Sequence, residues 1–198
     1  MAPNSFAVSD PAFAPLLEQL RDRSLRPNAV RAIVSSMTSA LAKEAITAPA
    51  PGEKIAIIVV LRSGLAMMEP FASQLPEDAD TVIYHLGLFR EKHSLQPVEY
   101  YNKLPRKANN IKHAYVLDPL VATGGTAKAA INILKDWGIE HITFACLLAS
   151  QSGLESAANF WPEKTRFIVG HVDATVDAKG YVQPGVGDIG DRLFGTTE

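Results

Sequence analysis

From residue 54 to residue 61 the chain reads Lys-Ile-Ala-Ile-Ile-Val-Val-Leu, apolar at nearly every position and rich in β-branched side chains. A half-exposed strand alternates apolar and polar residues. This run does not, so it predicts a strand covered on both faces, as in a parallel sheet. Further strands are predicted over residues 80–85, 114–117, 142–148 and 166–169. Between them the apolar spacing becomes helical. Val30, Ile33, Val34, Met37, Leu41 and Ile46 recur with that period behind a Pro27-Asn28 start. Shorter helices are expected from Leu65 through Met68 and Phe71, over 152–160, and over 127–137, where Gly138 supplies the C-terminal cap. Strands alternating with helices predict an α/β domain, a parallel sheet flanked by helices. Residues 47–53, rich in Pro and Ala, are a break. Residues 1–15, rich in Pro, Ala, Ser and Asn, predict an irregular or partly ordered N-terminal arm, with 16–198 as one domain. Residues 91–107 are charged and without period, which predicts a long loop of the kind that is functional or disordered.

Composition narrows the class. The chain has 198 residues, 47% hydrophobic and 20% charged, ordinary values for a soluble globular protein. Its net charge of −2 offers no basic field for nucleic acid or for an anionic membrane. No apolar stretch is long enough to span a bilayer, and no basic region followed by an apolar core opens the chain as a secretory signal would. The one cysteine, Cys146, lies inside an apolar run, which predicts a buried inert thiol and fits a reducing compartment. The expectation is a cytoplasmic protein.

The chemistry gathers at Tyr115-Val-Leu-Asp118-Pro119-Leu120-Val121-Ala122-Thr123-Gly124-Gly125-Thr126. A buried strand ends in an acid, a short loop of Thr and paired Gly follows, and a helix begins. The N–H groups that open a helix have no intrahelical partner and lie at the positive end of its dipole, a setting that favours phosphate. Thr123 and Thr126 add hydroxyl donors, and Asp118 is placed to accept from sugar hydroxyls. The stretch therefore reads as a site for a phosphorylated sugar. It is not a P-loop, because no Gly-Lys-Ser/Thr follows the glycines. A side chain at Gly125 is expected to meet steric and backbone conflict.

Arg62 stands at the C-terminal end of the 54–61 strand, before Gly64. Ligands in open α/β sheets collect there, and a guanidinium matches phosphate oxygens, so the anion reading is preferred to a surface ion pair. Arg90 and Lys92, near the long loop, are equally open to a substrate clamp and to solvated charges. Residues 180–196 carry glycines too dense for helix or ordinary strand. They suit a pocket rim that touches a flat ligand, or else a flexible end.

Together these residues resemble the uracil phosphoribosyltransferase family. Arg62-Ser63-Gly64-Leu65 with Met67-Met68 is similar to its Leu-Arg-Ala-Gly-Leu segment. Phe89-Arg90, with residues 95–104, is similar to its mobile loop. Residues 118–126 are close to its Asp-Pro-Met-Leu-Ala-Thr-Gly-Gly-Ser/Thr signature, and 180–195 to its Gly-Tyr-Ile-x-Pro-Gly-Leu-Gly-Asp-Ala-Gly-Asp-Arg-x-Phe-Gly tail. The resemblance implies a type I phosphoribosyltransferase fold with a small C-terminal hood at 170–198. The implied reaction is uracil plus 5-phospho-α-D-ribose 1-diphosphate (PRPP) giving UMP and diphosphate with Mg²⁺, in a homodimer. By motif position Asp118 would hold the ribose, and Ala122 to Thr126 the 5′-phosphate, within a PRPP stretch that includes Pro119, Leu120 and Val121. Arg62 and Arg90 would contact the diphosphate. Asp188 would serve its Mg²⁺ end through water, the metal being held mainly by ligand oxygens and water. Val182, Gly187, Asp188 and Ile189 would face uracil, largely through the backbone.

Four departures from the family pattern stand out. Residues 47–53 replace a longer segment that carries the dimer arm of bacterial members, Ser63 replaces Ala, Gln183 replaces an apolar residue, and Ile189 replaces Ala. The last two bear on base preference. The alternatives to the uracil reaction are a phosphoribosyltransferase of another base and a non-catalytic nucleotide sensor of the same fold.

Overall fold

The computed structural model describes residues 2–91 and 96–196. Lys92 and Leu95, named above, lie outside the described residues. The strands are β1 (Ser5–Ala7), β2 (Ile55–Leu61), β3 (Thr81–Arg90), β4 (Pro97–Asn102), β5 (His113–Leu117), β6 (Leu120–Val121), β7 (His141–Ser150), β8 (Thr165–Asp173), β9 (Thr175–Val176) and β10 (Val182–Gln183). The helices are α1 (Phe13–Arg21), α2 (Pro27–Ala45), α3 (Leu65–Ala72), α4 (Gly125–Trp137), α5 (Gln151–Ala158) and α6 (Ile189–Phe194).

Eight strands form the main sheet in the order β1-β8-β7-β5-β2-β3-β4, with β6 beside β7. All neighbours run parallel except β3 and β4. The continuous apolar run of β2 is explained by two cores. Ile55, Ile57 and Val59 face Met37 and Leu41 of α2 and Met67 and Phe71 of α3. Ala56, Ile58 and Val60 face the other way, into the core that holds Ala130, Ile131 and Leu134 of α4 and Leu154 of α5. Burial of such side chains drives the fold at about 25 cal/mol per Å² of apolar surface removed from water.

The chain leaves β2 through α3 toward β3 on one side, and leaves β5 through α4 toward β7 on the other. The strand order therefore reverses between β2 and β5. Parallel α/β sheets bind ligands in the crevice outside the carboxyl ends of such a strand pair.

Three expectations are corrected. The irregular arm of residues 1–15 is instead an edge strand and the start of a helix. Ser5, Phe6 and Ala7 pair with Phe167, Ile168 and Val169, and Asn4 donates to the carbonyls of Ala158 and Thr165. The loop expected over 91–107 contains β4, which turns back antiparallel on an extended β3. The C-terminal stretch holds a helix, α6, and a two-stranded ribbon of β9 with β10. Strand β8 carries the sheet to Asp173, and these hood elements follow from Thr175. Among the described residues, no helix is long and apolar enough to cross a membrane.

Candidate active site

The crevice between the β2 and β5 ends opens into a cavity of about 560 Å³. The body supplies Arg62, Ser63, Asp118, Leu120 to Thr126, Leu88 and Phe89. The hood supplies Tyr181, Val182 and Gly187 to Gly190. The candidate residues therefore converge from three separate stretches of chain. Pro119 is the exception. It does not line the cavity, and its carbonyl accepts from the Leu147 and Leu148 N–H groups of β7 at 3.0 and 3.1 Å. Arg90 ends β3 opposite Pro97; its side chain lies outside what the structure describes.

Asp118 follows β5 directly and is 6% exposed. Burial pushes its carboxyl up to about 7, while hydrogen bonds from the Leu120 N–H and the Ser63 hydroxyl pull it back. Near neutrality this group stands between its two charge states. The Ser63 hydroxyl, one of the departures from the family pattern, is thus engaged with Asp118.

The phosphate-loop candidate splits into two unlike glycines. Gly124, the residue before α4, has φ +81°, and a Cβ there would lie 2.5 Å from the Gly153 carbonyl oxygen. Gly125 has no such conflict, its nearest neighbours to a Cβ being Pro97 Cδ at 3.6 Å and Thr123 Oγ1 at 3.7 Å. The backbone conflict expected at Gly125 belongs to Gly124. Gly153 lies in the first turn of α5, and the Ser150 hydroxyl that accepts from its N–H also donates to the Ala122 carbonyl at 2.5 Å. One side chain thereby caps α5 and braces the loop before α4. Nothing in the local sequence around Ala122 points to this partner. A Ser three residues before a helical Gly is its only trace.

Arg62 is half exposed. Its guanidinium donates to Asp191 Oδ1 at 2.8 Å and to Thr196 Oγ1 at 2.9 Å, and lies 5.6 Å from the Phe194 ring centre. The body thus touches the hood through the residue expected to meet the diphosphate. An ion pair this open to water contributes little stability and is readily exchanged for a stronger anion. Asp188 caps α6, accepting from the Asp191 N–H at 3.0 Å, and its other oxygen faces the Tyr181 hydroxyl at 3.4 Å.

Two departures acquire a place. Gln183 turns away from the cavity and donates to Asp177 Oδ2 at 3.1 Å, closing the turn between β9 and β10. Ile189 lines the cavity but is 5% exposed, packed in the core with Leu193 and Val186. Phe89 and Tyr100, ring centres 5.9 Å apart, form a cavity wall whose part in the site sequence reasoning missed, because β4 was not foreseen. Cys146 is a buried free thiol, raised well above its ordinary pKa by burial and by the Asp118 charge, and so inert. Among the described residues, no group of three or more His, Cys, Asp or Glu side chains forms a metal cage.

A family model, uracil phosphoribosyltransferase, matches residues 46–196. The chain belongs to this family. It is 49% identical over 178 residues to urg2 of Schizosaccharomyces pombe, covering 90% of this chain and 83% of that one. It is 35% identical to the uracil phosphoribosyltransferase of Dictyoglomus turgidum, covering 96% and 98%, and 37% identical to that of Roseiflexus castenholzii, covering 91% and 92%. Among solved structures, AQ2163 of Aquifex aeolicus superposes with a TM-score of 0.87 at 24% identity, over 98% of this chain and 99% of that one. The adenine phosphoribosyltransferase of Trypanosoma brucei, solved with AMP, pyrophosphate and ribose-5-phosphate, gives 0.55 at 14% identity, over 91% and 88%. The fold is that of the type I phosphoribosyltransferases, and the chain is a transferase of the pentosyl class.

Proposed function

We propose that the protein transfers the phosphoribosyl group of PRPP to uracil, giving UMP and diphosphate. The observation that carries this reading is convergence. The buried Asp118, the loop at the start of α4, Arg62 and the turn at Gly187-Asp188 all line one cavity at the strand-order reversal. These are the groups that a phosphate, a ribose, a diphosphate and a flat base would need.

Displacement of diphosphate from the anomeric carbon passes through an oxocarbenium-like state. The chain then has to align the base with the sugar and spread charge on the leaving group, without a strong nucleophile of its own. In this reading the N–H groups from Ala122 to Thr126 and the Thr123 and Thr126 hydroxyls hold the 5′-phosphate. Asp118 accepts from the ribose hydroxyls, and Ser63 orients its carboxylate. Arg62 exchanges Asp191 for the diphosphate, and Arg90 joins it. Val182, Gly187 and Ile189 bound the base. With Asp118 given to the ribose, one carboxylate lining the cavity is left, Asp188, which fits an ion that keeps most of its water, as Mg²⁺ does. When bound, Mg²⁺ neutralises charge on the diphosphate. Because Gln183 points out of the cavity, the base-side departures reduce to Ile189, and uracil is preferred to a larger base.

The test is turnover with Mg²⁺, PRPP and one of uracil, cytosine, orotate, hypoxanthine or xanthine, with nucleotide followed by chromatography. UMP from uracil alone is expected. Product only from another base would move the specificity, and no product from any base would sink the enzyme reading.

A further inference from the structure

The turn that precedes Gly187 is held in an unusual way. Three successive carbonyls each accept from a different arginine: Pro184 from Arg23 at 3.4 Å, Gly185 from Arg21 at 3.0 Å, and Val186 from Arg192 at 2.6 Å. Arg21 and Arg23 come from the end of α1 and the residues just past it; Arg192 comes from α6. Arg192 is 8% exposed, and its acceptors are backbone carbonyls, Leu20 and Asp22 at 2.6 Å in addition to Val186. Its buried Nε has no hydrogen-bond partner among the described residues. A guanidinium placed for fold stability alone would be expected to meet a carboxylate, as Arg21 does at Asp173 through two bonds of 2.8 and 3.0 Å. Asp173 also accepts from the Gly185 N–H at 3.0 Å, so the turn is gripped on both edges.

Peptide geometry gives the consequence. In a trans peptide the C=O and the following N–H point in opposite directions. The Val186 carbonyl is aimed at Arg192, so the N–H of Gly187, which lines the cavity, faces the opposite way. A hydrogen bond from a cation to that carbonyl also polarises the peptide and strengthens its N–H as a donor. A fixed N–H donates to a keto oxygen but meets an exocyclic amino group N–H against N–H.

We propose that Arg192, backed by Arg21, is a positioning residue for the base: by fixing the Val186 carbonyl it directs the Gly187 N–H into the cavity as the donor that separates a keto pyrimidine from an amino one. The inference rests on the phosphoribosyl transfer to uracil proposed above, and adds to it the residues that set base recognition from outside the cavity.

The experiment measures uracil KM, PRPP KM, kcat and the uracil-over-cytosine ratio of kcat/KM for the wild-type chain, Arg192→Lys and Arg21→Lys. PRPP affinity is also measured by calorimetry. A lysine keeps the charge, but its single nitrogen does not reproduce the planar fork whose two end nitrogens reach the three carbonyls. In Arg192→Lys, uracil KM should rise by about tenfold or more, the loss expected for one misaligned hydrogen bond, and the uracil preference should narrow. PRPP KM and affinity should stay within about twofold, since the phosphate loop is untouched. Arg21→Lys should move the same two quantities in the same direction, and it decides the matter if Arg192→Lys does not fold. An unchanged uracil KM in the folded variants, or PRPP affinity falling in step with it, would overturn the positioning role. A wild-type chain that turns over no base would overturn the functional reading instead, and this proposal with it.

Discussion

Asp118 and Arg62 stand at the ends of neighbouring strands, yet burial gives them opposite characters. Arg62 is half open to water, while Asp118 is pushed up to about 7 by burial. The sign of the stability effect follows. The folded chain binds the Asp118 proton more tightly than the unfolded chain, whose value is the ordinary 3.8. This contribution is therefore complete below that value and is lost as pH rises through about 7. Asp118→Asn should flatten the fall in stability over that window, read by denaturant unfolding at a series of pH values. Binding of PRPP should favour the carboxylate and release a proton below about pH 7, seen as a calorimetric heat that depends on the buffer. The same variant should lose most PRPP affinity. The two loop glycines make a second pair of expectations. Gly124→Ala should cost about 1–2 kcal/mol from its left-handed conformation, besides the clash with the Gly153 carbonyl. Gly125→Val should leave the unfolding midpoint near wild type and weaken PRPP binding. Equal destabilisation by both would contradict the loop geometry. The acid, the glycines and Arg62 were legible because their residue types carry their chemistry. Ser63 on Asp118, Ser150 on Ala122 and Asp191 on Arg62 were not, since a hydroxyl or carboxylate far along the chain announces no partner.

At the scale of elements, legibility followed burial. Strands β2, β5 and β7 and helices α2 and α4 were evident, because each has an apolar period that only one secondary structure satisfies. Ile58, fully buried between β2 and the α4–α5 layer, tests this. Ile58→Ala should lower unfolding free energy by about 2–5 kcal/mol in denaturant melts. Strands β1 and β4 escaped notice for the opposite reason. Each lies at a sheet edge, β4 is largely exposed, and their backbone bonds come from β8 and β3 rather than from any pattern of their own. Helix α6 escaped because its glycines mask a start made by the Asp188 side chain. The docking of α1 has its own marker, for a Cβ at Gly170 of β8 would lie 1.8 Å from Phe13 Cζ. Gly170→Ala should therefore displace α1, and amide exchange in residues 13–21 should rise before exchange in β2.

Across the whole molecule, the two ends of the chain are fastened to each other beside the cavity. Arg21 of α1 meets Asp173 at the end of β8, and Asp173 holds the Gly185 N–H of the hood turn. Burial alone would raise the Asp173 carboxyl, but the hydrogen bond from Arg21, the Gly185 N–H and the charges of Arg21 and His171 outweigh it and hold it below its ordinary value. A depressed carboxylate contributes stability above its unfolded value that is lost as pH falls through the folded one. Acid should thus loosen the hood turn before the sheet, and exchange of residues 182–188 measured against β5 in falling pH reads it; Asp173→Asn should bring the loosening to neutral pH. The homodimer implied by the resemblance stands as a proposal, and sedimentation should give a species of two chains. By itself the sequence determined the α/β class, the parallel core strands and the placing of residues 118–126 between a buried strand and a helix, because hydrophobic period and residue type act locally. Only the tertiary structure decided that an N-terminal segment completes the sheet, that Gln183 leaves the cavity while Ile189 stays, and that arginines from both chain ends grip one turn. The edge-strand pairing and the grip of Arg21 on Gly185 join residues more than a hundred positions apart, and those partners exist only once the sheet has brought them together.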